Sequence, residues 1–307
     1  MNVIGVDYAA DKKNTNDQTT HRQINRIDGV YPSVALLTPL STPILAIMIG
    51  AVSLTLAPER FRQIRGRTLL TILVVQTGMP LFAFAIARML ALSPALTAGF
   101  VVLGAVTPEL VTPTMTELSG GDTALATVVL VLVGLGTLVL VPGVVTLFLS
   151  ASIAVDPVLI VEQLLLAVVI PMTLAVGARY RWPDRIGKYD EIYLSVSGLM
   201  VILIIGIVAA ANASLVRDGG AVLLLVAVGA VVLNSTGYAA GWLISRNFAR
   251  GERIAATLSI GMRDFAVAAA LLVGAGFPTA ATLPAVVFGI VEMVTSAGLA
   301  KWFSRSA

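Results

Sequence analysis

Nine apolar runs, most of them longer than the roughly 20 residues that cross about 30 Å of hydrocarbon, leave this chain few ways to fold. They lie near 33–57, 68–91, 95–119, 122–149, 157–179, 190–212, 219–245, 252–276 and 280–303. The runs are continuous and lack the period-2 alternation of a barrel strand. They therefore predict an all-α membrane protein with nine transmembrane helices. Only 12% of residues are charged, too few to cover a soluble domain of this hydrophobicity.

The breaks between runs alternate in charge. Arg60, Arg62, Arg65 and Arg67 follow the first run, and Arg179, Arg181, Arg185 and Lys188 follow the fifth. Arg246, Arg250 and Arg253 follow the seventh, and Lys301 and Arg305 close the last. The intervening loops hold one basic residue, Arg217. The excess of arginine on one side places the N-terminus outside and the C-terminus in the cytoplasm, as nine crossings require. The expected organisation is a polar flexible tail at 1–32, a transmembrane domain at 33–303 in an inner (plasma) membrane, and a cytoplasmic tail at 304–307. No apolar signal core is visible at 1–28.

The chemistry available is narrow. The chain has no cysteine and a single histidine, His21 in the polar tail, which excludes thiolate and most zinc or haem sites. No phosphate-binding G-x-x-x-x-G-K-[ST] occurs. No enzyme activity, cofactor, metal centre or nucleic-acid partner is expected; the lipid bilayer is the surrounding partner.

Charge inside the apolar runs is the exception that carries function. Arg263 and Asp264 lie mid-run in Thr257-Leu-Ser-Ile-Gly-Met-Arg-Asp264. Glu109 lies between Pro108 and Pro113 in another. A charge at the centre of a span costs at least about 2.5–3.5 kcal/mol, so such groups pair, meet water or bind something. Interrupted, charged spans in the two halves of a chain point to the site of a secondary transporter. The second to fourth runs resemble the seventh to ninth, which predicts inverted repeats at about 33–149 and 157–303 with crossing broken helices. Pro108 and Pro113 remove backbone donors, and Gly261 is a place where the eighth span unwinds. Glu292, alone in the last span, is expected to line the cavity. Asn234 reads first as an interhelical hydrogen bond.

Three stretches resemble the bile acid:sodium symporter family. Gly50-Ala-Val-Ser-Leu-Thr-Leu56 ahead of Pro58 is similar to G-x-x-L-T-L-x-P. Asn234-Ser-Thr-Gly-Tyr-Ala-Ala-Gly241 is similar to N-x-x-G-Y-x-x-G, and Thr257 to Asp264 resembles T-x-E-x-G-M-Q-N. The resemblance implies a core domain with two crossing broken helices, a panel domain that moves against it, and function as a monomer. It also implies two sodium sites, and there the chain departs. Thr112, Pro113, Ala126 and Leu130 stand at one set of ligand positions, and Ser259 replaces the shared glutamate. Arg263 replaces a ligand glutamine, Gln76 lies within one residue of another, and Glu109 stands where the family has glycine. Two like charges about 4 Å apart repel by about 4 kcal/mol at an effective dielectric near 20. Sodium coupling is thus expected to be weakened or absent.

The expected function is alternating-access transport of a small organic anion. Arg263 is read as a tethered cation, with Glu109 or Asp264 as its partner. Three roles stay open: a structural salt bridge, a proton carrier in Glu109 or Asp264, or direct binding of the anion by Arg263. The alternative is a non-transporting sensor or structural relative that kept the fold.

Overall fold

The computed structural model describes residues 37–56, 66–149, 156–213, 217 and 219–305; these are almost wholly helical, with no strand among them. The tail 1–32 and Arg60, Arg62 and Arg65 lie outside the described residues. A short helix α1 (Ser41–Ser53) is followed by α2 (Gly66–Met89), α3 (Pro94–Ala105), α4 (Thr112–Leu118) and α5 (Thr123–Leu149). Next come α6 (Pro157–Arg181), the five-residue α7 (Pro183–Gly187) and α8 (Asp190–Ala211). Then α9 (Gly220–Ile244), α10 (Arg250–Gly261), α11 (Phe265–Gly274) and α12 (Leu283–Arg305) complete the bundle.

Seven segments are long and apolar enough to cross a membrane: α2, α5, α6, α8, α9, the pair α10–α11, and α12 with the turn before it. The chain is therefore a multi-pass membrane protein. Two of the nine expected runs give shorter apolar helices, α1 and α3. Around 95–119 the polypeptide stops being helical at Val106 and resumes at Thr112.

Burial separates the centre from the lipid-facing shell. The most apolar window of α10–α11 is 94% buried, against 22% for α8 and 33% for α9. A helix enclosed on all sides cannot be amphipathic, and α11 is accordingly apolar all round, Phe-Ala-Val-Ala-Ala-Ala-Leu-Leu. Its alanines let neighbours approach closely.

α9 packs along α10 through two glycines one turn apart. A Cβ on Gly237 would lie 2.8 Å from both Gly261 Cα and Ile260 O, and one on Gly241 would lie 2.6 Å from Thr257 Cα. Backbone cannot yield as a side chain does. Gly241→Val should therefore lower the melting temperature by at least about 4 °C, measured on purified protein in detergent. An unchanged melting temperature would mean that α9 and α10 separate without loss.

α6 carries a feature that the apolar pattern does not signal, a π-helical turn at Leu165–Val169. Pro171 follows it. Proline has no N–H to give Ala167 O and its ring crowds that carbonyl, so the helix widens rather than breaks.

Candidate functional site

Each interrupted helix breaks for a local reason. In the first, Val106 turns extended (ψ 170°). The helical partner of Gly104 O would be the N–H of residue 108, and Pro108 has none. In the second, Met262 is extended (ψ 138°) and no proline is involved. The N–H of Asp264 abandons Ile260 O and donates instead to Thr107 O at 3.0 Å, a backbone bond from one break to the other. Gly261 serves close packing: it is the last residue of α10, and a Cβ there would sit 2.0 Å from the Tyr238 ring. The sequence pointed to glycine flexibility; the structure uses its lack of a side chain.

The half-helix ends meet at these breaks, and charged side chains satisfy them. Arg263 is 1% exposed and is the largest wholly buried side chain among the described residues. Its Nη1 donates to Gly104 O at 3.1 Å and Val106 O at 3.4 Å, and its Nη2 donates to Ile260 O at 3.2 Å. These oxygens belong to the C-terminal ends of α3 and α10, where carbonyls lack helical donors and the dipole is negative.

Two carboxyls take the opposite ends. Asp264 Oδ1 accepts from Val267 N at 2.8 Å and caps α11. Glu109, from the first break, lies close to Asp264 and Glu292, and its Oε2 is buried without a hydrogen-bond partner. Glu292 Oε2 accepts from the backbone N–H of Arg263 at 2.7 Å, tying α12 to the second break.

The expected ion pair between Arg263 and Glu109 or Asp264 is not formed. No carboxylate oxygen of the described residues lies within 4.0 Å of the guanidinium; the ion pair present is Arg179–Asp190 at 2.6 Å, outside this site. The reason is that fixed carbonyls already converge on the guanidinium, while Asp264 and Glu292 are committed to backbone N–H groups. Opposite charges here share a site without touching.

The remaining candidates divide. Thr112, first residue of α4, donates its hydroxyl to Met262 Sδ at 3.7 Å, so it meets the second break. Asn234 donates to Gly261 O at 3.2 Å and accepts from Thr295 Oγ1 at 2.8 Å, the interhelical role expected of it. Ser259 Oγ and both amide atoms of Gln76 are buried without a partner. Gln76 lies one turn from Met79 and Pro80, the residues of α2 that press on Gly104. Glu109 Oε2, Asp264 Oδ2 and Arg263 Nε are likewise buried and unpartnered. Pro113 belongs elsewhere, on the wall of a cleft of about 280 Å³ shared with Val52, Glu117, Thr127, Arg179 and Asp190. Among the described residues no three His, Asp or Glu side chains converge as a metal centre would.

The oxygens of Gly104, Val106, Thr107 and Ile260 escape a reading of side chains, because any residue type presents a carbonyl. Pro108, placed four residues after Gly104, is the one signal that could have found them.

The two ends of the bundle differ. At one end Thr68 meets Glu252, Asp122 N–H meets Gly251 O, and Arg250 donates to Phe303 O. Arg179, one of the arginines expected on this side, lines the cleft. At the other end, Thr42 of α1 bonds to Gln163 of α6, and Gly274 of α11 packs so tightly on both that a Cβ would lie 2.6 Å from Gln163 Oε1. The same α1 is thus sealed against α11 at its start and parted from α4 and α5 at its finish.

Comparison with known proteins adds two findings. The family model described as sodium bile acid symporter family matches residues 42–218, which takes in the first break and stops short of the second. A Bacillus subtilis (strain 168) protein described as an uncharacterized sodium-dependent transporter, YocS, is 24% identical over 281 residues, 90% of this chain and 86% of its own length.

Proposed function

The chain belongs to the sodium bile acid symporter family, and from that premise we propose that it carries a small organic anion across the inner (plasma) membrane by alternating access, with sodium coupling weakened or absent. Transport by a symporter-type carrier, rather than catalysis, is what membership and the relative together support. The finer reading rests on one observation: a buried guanidinium fills the crossing of the two breaks. A second cation beside it would meet repulsion in a medium that screens poorly.

The sealed end and the open cleft support alternating access, since a carrier needs one face closed while the other is open. Nine crossings, an external N-terminus and a cytoplasmic C-terminus fit the arginine-rich end being the cytoplasmic one. Repeats at about 33–149 and 157–303, and action as a monomer, belong to the same reading. Glu109, Asp264 and Glu292 lie at the crossing with Arg263; with all three ionised these four residues carry a formal charge of −2. Buried charge of that size calls for compensation. In the absence of sodium a proton taken up by Glu109 or Asp264 supplies it.

The relative's description names sodium dependence, so the deciding experiment varies sodium. Proteoliposomes are loaded with a set of mono- and dicarboxylates, and counterflow identifies one that is carried. Its uptake at fixed pH, with choline replacing sodium, is expected to stay within about twofold. A fall of about tenfold, worth about 1.4 kcal/mol, overturns weakened coupling. Under an imposed pH gradient, uptake should lose its dependence on that gradient in Glu109→Gln or Asp264→Asn. Dependence unchanged in both removes the proton. Binding without counterflow would instead mark a relative that has lost transport.

A further inference from the structure

Opposite charges share a second cavity, at the arginine-rich end, without closing on each other. It measures about 430 Å³, within the size range of ligand pockets. Its walls are Arg67, Thr68 and Thr71 of α2, Ile244 and Asn247 where α9 ends, and Glu252 of α10. Among the described residues, neither the guanidinium of Arg67 nor the amide of Asn247 has a partner. Neighbouring arginines are already engaged: Arg250 donates to Phe303 O at 2.8 Å, and Arg253 donates to Trp242 O at 3.1 Å and lies over the Trp242 ring. Glu252 Oε1 accepts from Thr68 Oγ1 at 3.5 Å, and its Oε2 accepts from Ala249 N at 3.2 Å. A carboxylate has about four acceptor positions, so others stay open. We infer that this cavity binds the headgroup of a zwitterionic phospholipid, with Arg67 and Asn247 on its phosphate and Glu252 on a primary ammonium.

The surroundings select a lipid as the source of that headgroup. Arg67, Leu70 and Val74 lie at i, i+3 and i+7 on α2, one exposed stripe with its charge at the end and apolar side chains beyond it. Leu243 and Ile244, also exposed, close α9. Acyl chains tied to a headgroup in the cavity have this apolar surface to lie on, and a basic residue at the mouth of a membrane helix meets phosphates at that depth. Charge selects the class of lipid. A guanidinium holds phosphate as a fork, and the carboxylate of Glu252 repels a headgroup that carries only negative charge. A primary ammonium offers three donors, whereas the trimethylated nitrogen of a choline headgroup offers none. Phosphatidylethanolamine therefore matches better than phosphatidylcholine or phosphatidylglycerol. The same headgroup free in solution has the charges but cannot use the apolar stripe. The inference is independent of the transport reading, because no wall of this cavity belongs to the crossing of the two breaks.

Native mass spectrometry of the full chain, purified in detergent and stripped of lipid, tests this. The probes are phosphatidylethanolamine, phosphatidylcholine and phosphatidylglycerol with matched chains, and glycerophosphoethanolamine as the headgroup without chains. Wild type should bind phosphatidylethanolamine at least about fivefold more tightly than either other lipid. Glu252→Gln keeps an oxygen for the Ala249 N–H but removes the charge, and should narrow that preference to within about twofold. Arg67→Gln, at an exposed side chain, should weaken all three lipids by about fivefold. Should Glu252→Gln fail to fold, Asn247→Asp takes its place: it sets a carboxylate against the phosphate at an exposed turn and should weaken phosphatidylethanolamine as Arg67→Gln does. Glycerophosphoethanolamine at the same concentration should displace none of the lipid. Equal binding of the three lipids by wild type, a preference for either of the other two, displacement by the chain-free headgroup, or wild-type behaviour in any folded variant overturns the inference.

Discussion

Replacing Gly274 by leucine is expected to abolish net uptake while leaving the protein folded. Gly274 ends α11, and a Cβ there would lie 2.6 Å from Gln163 Oε1 and 3.0 Å from Thr42 Oγ1. Leucine adds a side chain to a contact that has no room for it, but only while that end is closed. Overpacking of this kind costs about 1–3 kcal/mol, which shifts a two-state balance about 5- to 150-fold against the sealed form. A carrier that cannot close one face cannot complete its cycle. The chain has no cysteine, so a single introduced thiol reports without background. Ser41→Cys places it at a residue wholly buried at the seal. Its reaction with a membrane-impermeant maleimide should be slow in the parent and at least about tenfold faster with Gly274→Leu. Undiminished uptake with leucine at 274, or a thiol that reacts equally in both, would show that this contact does not gate the molecule.

That seal was not legible in the amino-acid sequence, and the reason is physical. Gly274 lies among small residues near a loop, and nothing in its neighbourhood marks which surface it will meet; Thr42 and Gln163 are 121 positions apart. The places of the spans were far more legible, because burial in lipid demands long apolar runs whatever their tertiary partners. α1 and α3 show where that rule blurs: both are shorter than a full span, and hydropathy cannot tell a crossing helix from half of a broken one. The breaks themselves were foreshadowed unequally. Pro108 announces the first through its missing N–H, whereas the second follows from Asp264 N–H bonding across to Thr107, a partner more than 150 residues away.

Charge told which residues gather but not how they connect. Arg263, Asp264, Glu109 and Glu292 stand out because ionisable groups are costly in an apolar run, and the structure brings all four to the crossing. The expectation of a direct pair fails because it weighs side chains only. A broken helix exposes carbonyls at one end and N–H groups at the other, and these compete with carboxylate and guanidinium for each other. With two breaks crossing, backbone partners outnumber charged ones. The guanidinium therefore goes to the carbonyls, and Asp264 and Glu292 go to N–H groups.

Glu292 follows from that division and should be the most sensitive carboxyl for stability. It is 1% exposed, and its Oε2 receives the Arg263 N–H at 2.7 Å. Glu292→Leu strands that donor, at about 1–3 kcal/mol, and withdraws a negative charge from near a buried guanidinium, which adds to the loss. A drop of at least about 6 °C in melting temperature is expected. Glu292→Gln separates the two contributions, since its amide oxygen still accepts the N–H but carries no charge. The glutamine variant should fall between wild type and leucine. Repeating it in an Arg263→Gln background completes a double-mutant cycle. With the guanidinium gone, losing the carboxylate should cost less, giving a coupling of about 1 kcal/mol or more. Strict additivity would show that Glu292 serves Arg263 only through its backbone N–H, and that the guanidinium draws its stabilisation from the carbonyls alone.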